Sequence, residues 1–196
     1  MKTNKKIIIA AAIACVLIGW IGFYTYANNY NTPSDLSTIA KHGEDISIYV
    51  DFGISSAYPR FFVYDNQNDS LLTCSKCTHG SGGGSTISKP VFSNEIGSNC
   101  SSLGEYKLTA NSRLNTINMP CIRLVGLSKT NSNVAQRGVV IHEAYFFADD
   151  ISIGIPIPVT KYFSQGCFGI STKTFNMLQD KIKQKKSIYL YAVYNQ

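Results

Sequence analysis

From Ile46 onward the chain is a succession of short runs rich in β-branched and aromatic residues, each bounded by turn formers, and that pattern restricts it to a fold built chiefly on strands. Ile46-Ser47-Ile48-Tyr49-Val50-Asp51-Phe52 alternates with the period of two that presents one strand face to a core. Arg60-Phe61-Phe62-Val63-Tyr64 and Leu71-Leu72-Thr73-Cys74 flank the polar turn Asp65–Ser70 and read as a hairpin. Ser101–Leu108 is a small-residue turn leading into a strand. Cys121–Leu127, Gly138–His142 and Ser187–Val193 read as further strands, and the polar segment Asn131–Arg137 as a helical turn. Helical spacing occurs once: Ser171 is placed to cap a helix from Thr172 to Lys186, with Phe175, Leu178 and Ile182 at offsets of three and four. Ile151–Tyr162 carries Gly154, Pro156 and Pro158 and is expected to be a loop. The expected class is mainly β, all-β to α+β: a compact β-sandwich or barrel-like domain over residues 46–196 with one C-terminal helix.

The start of the chain obeys a different rule. Lys2, Lys5 and Lys6 precede an uncharged apolar run from Ile7 to Tyr24, with Trp20, Tyr24 and Tyr26 at its far end where an interfacial aromatic belt would lie. Residues 1–6 are therefore read as a cytoplasmic tail, 7–26 as a transmembrane anchor or uncleaved signal, and 27–45 as a polar linker. The positive-inside bias sends everything after Tyr26 out of the cytoplasm, into the periplasm. Thr25-Tyr26-Ala27 is a poor cleavage site, and Cys15 sits inside the apolar run as a membrane-helix residue.

Half of the net charge of +6 belongs to those three leading lysines, and Lys181, Lys183, Lys185 and Lys186 read as a solvated helix face. No arginine-rich groove or aromatic stacking pattern accompanies them, so a nucleic-acid partner is not expected. Outside the cytoplasm disulfides can form. Cys74, Cys77, Cys100 and Cys121 are candidates for one or two bridges in any pairing, with Cys167 left over. Cys74-Ser75-Lys76-Cys77 followed by His79 also has zinc-ligand spacing, and C-x-x-C occurs in redox proteins; the structural disulfide ranks first. The glycine-rich stretch His79–Ser85 lacks the lysine and following helix of a phosphate-binding loop, and is expected to be the most flexible part of the domain, with a mobile loop beside an active site as an alternative.

The residues with chemistry are Cys167, held in the small-residue turn Ser164-Gln165-Gly166-Cys167, and His142, at the end of the apolar run Gly138–His142. An imidazole can take a thiol proton, and the backbone N–H groups of Gly166 and Cys167 can hydrogen-bond a developing oxyanion. Ser164 is a candidate to orient the imidazole through its hydroxyl or carbonyl. Arg123 and Arg137 are candidates for a substrate carboxylate, which a guanidinium matches bidentately; for Arg137 a structural ion pair is preferred. Tyr106 and Tyr145 read as packing aromatics, and His42 as a linker residue.

Phe92-Ser93-Asn94, Gly97-Ser98, Ser101-Ser102-Leu103-Gly104-Glu105-Tyr106, Ile122-Arg123-Leu124, Gly126-Leu127, Asn133, Ala135, Arg137-Gly138-Val139-Val140, His142, Ser164 and Gly166-Cys167 stand in one order. That order resembles the murein L,D-transpeptidase catalytic-domain family (YkuD-like), over roughly Ile46 to Gln196. The resemblance implies that Cys167 attacks the carbonyl before the terminal D-Ala of a peptidoglycan tetrapeptide stem, with His142 as base and then acid and the backbone at Gly166 and Cys167 as oxyanion hole. An amine of a neighbouring stem then resolves the thioester into a 3→3 crosslink. Water as acceptor would make the same site an L,D-carboxypeptidase, and a copy without turnover would be a wall-binding envelope protein. No metal or organic cofactor is implied. His79 stands where the family often has a His-Gly pair and would line the substrate cleft, with Arg123 binding stem peptide. The chain departs from the pattern at Gln165, at Phe163, at Gly169 where some relatives have arginine, and at Glu143 where glycine commonly follows the histidine.

Overall fold

The computed structural model describes residues 42–56, 58–86, 88–114, 118–144 and 164–195. The apolar run 7–26, most of the linker, Cys15, Tyr145, the proline-bearing segment 151–162 and Phe163 lie outside the described residues. Contacts divide the chain into two units, and every described residue belongs to the one made of Asp35–Asp150 and Pro156–Gln196. No helix among the described residues is long and apolar enough to cross a membrane.

Among the described residues eight strands and one α-helix form: β1 Ile46–Asp51, β2 Phe61–Asp65, β3 Ser70–Ser75, β4 Gly104–Leu114, β5 Met119–Gly126, β6 Val140–Glu143, β7 Phe168–Ile170, α1 Thr172–Lys183 and β8 Ile188–Val193. The strands form one sheet in the order β3-β2-β1-β8-β4-β5-β6-β7. Most neighbours are antiparallel; β1 with β8 and β6 with β7 are parallel. The hairpin around Asp65–Ser70 forms as expected, with Asp65 Oδ1 accepting from the backbone N–H of Gln67 and Asn68. The short strand β7 and the second half of β4 were not expected, because Phe168–Ile170 is too brief to show a period and Thr109–Leu114 is too polar.

The sheet nearly closes on itself. Thr78, just past the edge strand β3, donates its backbone N–H to Gly169 O at 2.9 Å, and Gly169 on the other edge strand returns its N–H to Thr78 Oγ1 at 2.7 Å. Ser171 N donates to Ser75 Oγ at 2.9 Å alongside them. The result is barrel-like, one sheet with meeting edges, and the sandwich alternative of two stacked sheets falls away. Inward-pointing positions alternate along β1, β2, β5, β7 and β8: Ile46, Ile48 and Val50; Phe61 and Val63; Ile122 and Leu124; Phe168 and Ile170; Ile188, Leu190 and Ala192. α1 begins with Ser171 accepting from Thr174 N, packs on β3, β4 and β6, and adds Phe175 and Leu178 to the same core. Ordered contacts reach back past Ile46, since the carboxylate of Glu44, 3% exposed, accepts from the hydroxyls of Ser47 and Tyr191.

The disulfide expectation is overturned. Cys74, Cys77, Cys100, Cys121 and Cys167 are all free thiols. Cys74 pairs across the ladder with Phe62, on the face away from the core, whereas Cys77 lies in the core cluster, so the sheet separates the two thiols of the C-x-x-C pair. The same separation removes the zinc reading, and no group of three metal-binding side chains occurs among the described residues.

Phe168 is fully buried and stacks on Phe52 and edge-on to Tyr106. Phe168→Ala should lower stability by about 3–5 kcal/mol, read as a fall in the urea midpoint at unchanged slope.

Candidate active site

Cys167 is delivered by a turn whose shape is set by its neighbours. Ser164 Oγ accepts from Gly166 N at 3.0 Å and donates to Cys167 O at 2.7 Å, and Thr78 Oγ1 donates to the same carbonyl at 3.1 Å. Gly166 has φ +107, and a Cβ there would meet Cys100 O at 2.5 Å and Arg137 Nη2 at 3.0 Å, so glycine is required both for conformation and for space. β7 starts immediately after Cys167. Because Phe168 and Ile170 point into the core, Cys167 and Gly169 point to the opposite face.

The histidine reaches that face through register. β6 runs parallel to β7 with Ile141 opposite Phe168 and His142 opposite Gly169. Ile141 is in the core, so His142 shares the face of Cys167. The imidazole lies against Gly169, with Cε1 at 3.1 Å from where a Cβ would be, and Thr78 Oγ1 is 2.9 Å from the same point. A side chain at this position would press against both. Nδ1 of His142 donates to the backbone carbonyl of Glu143 at 2.9 Å, which leaves the lone pair on Nε2. The thiol donates to Gly138 O at 3.9 Å, and no hydrogen bond joins it to the imidazole. Burial holds the His142 pKa below its ordinary value; burial raises that of Cys167, against the backbone N–H of Val140 and the charge of Arg137, which lower it. The resting pair is therefore a neutral thiol beside a neutral imidazole.

The other expected site residues fall differently. Ser164 does not reach His142: its hydroxyl braces the turn that carries Cys167 and its carbonyl accepts from Ser81 N at 3.2 Å. The imidazole is oriented instead by the carbonyl of Glu143, a backbone group that no side-chain pattern announces. Glu143's carboxylate meanwhile accepts from the Thr172 hydroxyl at the start of α1. Arg123 lies on β5 opposite Val140 of β6, on the face of Cys121 and His142, with Nε donating to Ser112 Oγ and Nη2 to Arg113 O at 3.2 Å each. Arg137 makes no ion pair among the described residues; its fork donates to Ser93 O, Ser102 Oγ and Cys100 O.

His79 is 2% exposed and both its ring nitrogens are spent. Arg60 Nη2 donates to Nδ1 at 2.8 Å, so Nε2 carries the proton that goes to Thr86 O at 2.9 Å. Its role is to tie the glycine-rich loop down, and it has no nitrogen left for a substrate. Arg60 is fully buried with no carboxylate partner among the described residues; it donates to Cys77 O and Ile54 O and lies over the Phe52 ring at 4.9 Å. Sequence reading passed it over because it sits at the edge of a strand pattern like any solvated arginine. The glycine-rich loop is seated where flexibility was expected: Gly82 N donates to Asn99 O at 3.0 Å, and a Cβ on Gly82 would fall 1.8 Å from Ser98 O. Its glycines serve close approach to the Ser98–Ser101 backbone beneath the Cys167 turn.

Residues 20–191 match a family model described as the L,D-transpeptidase catalytic domain. Among solved structures the chain is similar to the L,D-transpeptidase of Xylanimonas cellulosilytica at 10% identity, with a TM-score of 0.43, covering 78% of this chain and 62% of that one. It is also similar to the helical cell shape determining protein Pgp2 of Campylobacter jejuni at 11% identity, with a TM-score of 0.49, covering 78% of this chain and 49% of that one. The chain thus spans about half to three-fifths of the length of these structures. No curated protein matches it.

Two measurements probe these electrostatics. Alkylation of Cys167 by iodoacetamide, followed by peptide mass spectrometry, should climb steadily through pH 9 without the neutral-pH plateau of a preformed thiolate–imidazolium pair. Burial and the adjoining Arg60 charge lower the His79 pKa to about 4 from an unfolded value near 6.5, so its contribution is whole above the unfolded value and lost as pH falls toward 4. Stability should drop by on the order of 3 kcal/mol over that window, and His79→Gln should show a shallower slope in pH-dependent denaturant melts.

Proposed function

Because the chain belongs to the L,D-transpeptidase catalytic-domain family, we propose that it is a peptidoglycan acyltransferase with Cys167 as nucleophile and His142 as general base and acid. The observation that carries the reading is the parallel β6–β7 register, which puts thiol and imidazole on one face, together with the Nδ1–H bond to Glu143 O that makes Nε2 the basic nitrogen.

In the first step the thiol proton moves from Sγ to Nε2 while sulfur bonds to the carbonyl carbon before the terminal D-Ala of a stem peptide. The charge that develops on the carbonyl oxygen is met by the backbone N–H of Cys167; the Gly166 N–H, the other expected donor, is already given to Ser164 Oγ. As the carbon–nitrogen bond breaks, Nε2 returns its proton to the departing D-Ala amine, leaving a thioester. An amine from a second stem then gives a proton to Nε2, bonds to the thioester carbon and expels the sulfur, which recovers its proton. The amide broken supplies the free energy of the amide formed, so the reaction needs no nucleotide. Water in place of the amine would make the product a shortened stem. Neutral resting groups suit this sequence, since the proton is transferred only when an acyl acceptor for the sulfur is present.

The substrate implies a site facing the cell wall. The uncharged run Ile7–Tyr24, with lysines before it, is assigned as the single-pass anchor that holds the domain outside the cytoplasm. Arg123, on the face of His142, is the candidate contact for a stem carboxylate.

Incubation of the purified full chain with tetrapeptide-stem muropeptides should release D-Ala and add the acyl mass to Cys167. Cys167→Ala should abolish both, and His142→Gln should lower kcat by about 10²–10⁴-fold with the fold intact by circular dichroism. Crosslinked dimers as product identify transpeptidation and tripeptide stems alone identify carboxypeptidation. A wild-type protein that stays inert with its thiol reduced, yet sediments with sacculi, would replace the proposal with a wall-binding role.

A further inference from the structure

Arg137 stands directly under the nucleophile. Its Nη1 donates to Ser93 O at 2.9 Å and to Ser102 Oγ, and its Nη2 donates to Cys100 O. All three acceptors belong to the segment between Phe92 and Leu103, on which the turn holding Cys167 rests. Nη2 also lies 3.0 Å from the point where a Cβ on Gly166 would sit, so the residue before the nucleophile is pressed against the guanidinium itself. The next residue along, Gly138, supplies the carbonyl that receives the thiol proton. Side chain and following carbonyl thus address Cys167 from one dipeptide.

The guanidinium's partners are two carbonyl oxygens and a hydroxyl, and none of the described residues pairs it with a carboxylate. An arginine in an ion pair presents nearly zero net charge to its surroundings. One held by neutral acceptors keeps its full unit charge, and here that charge lies against Gly166 in the turn that carries Cys167. The fork geometry matters as well as the charge, because a lysine can supply the charge but cannot span acceptors at Ser93, Cys100 and Ser102 with a rigid plane.

We propose that Arg137 is the positioning residue of the nucleophile: its fork seats the Gly166–Cys167 turn on the Ser93–Ser102 segment, and its unpaired charge stabilises the thiolate formed during acyl transfer. The proposal deepens the acyl-transfer reading and rests on it for its catalytic consequence. The other titratable groups facing the sulfur among the described residues are His142 on β6 and Cys121 on β5. Cys121 opposes ionisation of Cys167 and His142 is neutral at rest, which leaves Arg137 as the fixed positive charge.

The test is the pH dependence of Cys167 alkylation by iodoacetamide in the full chain, resolved by peptide mass spectrometry, for wild type, Arg137→Met and Arg137→Lys. Arg137→Met should move the alkylation midpoint up by about one pH unit and slow alkylation at neutral pH about tenfold, with Arg137→Lys recovering at least half of the shift. In turnover of muropeptides both variants should lose kcat with KM little changed. A midpoint that stays in place in folded Arg137→Met, or one that moves as far in Arg137→Lys, overturns the proposal. Should Arg137→Met not fold, Arg137→Gln takes its place beside Arg137→Lys; loss of fold in all three marks the residue as structural and overturns it too. Alkylation uses no substrate, so an inert wild-type protein would refute the acyl-transfer reading while the midpoints still decide the role of Arg137.

Discussion

Thr78 and Gly169 exchange two hydrogen bonds between the outermost strands of the sheet, and most of what is functional depends on that junction. It draws β7 down onto the end of β3, closing the barrel at the end where Cys167 emerges. The same Thr78 hydroxyl accepts from Gly169 N and donates to Cys167 O, so one side chain fixes both ends of the step between Cys167 and the residue under the imidazole. Edge strands ordinarily carry unpaired backbone groups that must be covered. Here the covering contact is also the scaffold of the site.

A second layer of support is polar and buried. Arg60, His79 and Thr86 form a chain of hydrogen bonds that holds the glycine-rich loop, and the loop in turn places Ser81 N on the carbonyl of Ser164 in the Cys167 turn. Leaving a guanidinium without a carboxylate in the interior is costly. The cost is offset by carbonyls of Cys77 and Ile54, by the Phe52 ring, and by a histidine kept neutral to accept from it. The network explains why the glycines of this loop are packed: any side chain at Gly82 would collide with the backbone at Ser98.

Electrostatically the site combines a neutral pair with a fixed charge. Burial favours the uncharged forms of both Cys167 and His142, while the cation of Arg137 sits against the turn between them and the Ser93–Ser102 segment. Under the acyl-transfer proposal, such an arrangement would keep the thiol unreactive in the absence of an acyl group and lower the energy of the thiolate when one arrives.

Local rules made much of this legible in advance. Runs of strand formers marked β1, β2, β5, β6 and β8, the Ser171 cap and the spacing of Phe175 and Leu178 marked α1, and the small-residue turn before Cys167 with an apolar run ending at His142 marked the candidate pair. Those features are written in neighbouring residues, because side-chain periodicity and capping depend on a few positions along the chain. The family order of motifs added the chemistry.

What local pattern could not supply was every relation between distant segments. The β6–β7 register that sets His142 over Gly169, the Thr78 junction, the separation of Cys74 from Cys77 across the sheet, the capture of His79 by Arg60 and the placing of Arg137 beneath Gly166 all join residues far apart in sequence. Each is settled only when the whole core packs, since a strand's pairing partner and the acceptors left open to a guanidinium are properties of the assembled barrel. The sequence by itself determined which residues could react; the tertiary structure decided which nitrogen is basic, which charge stands by the sulfur and which groups are already spent.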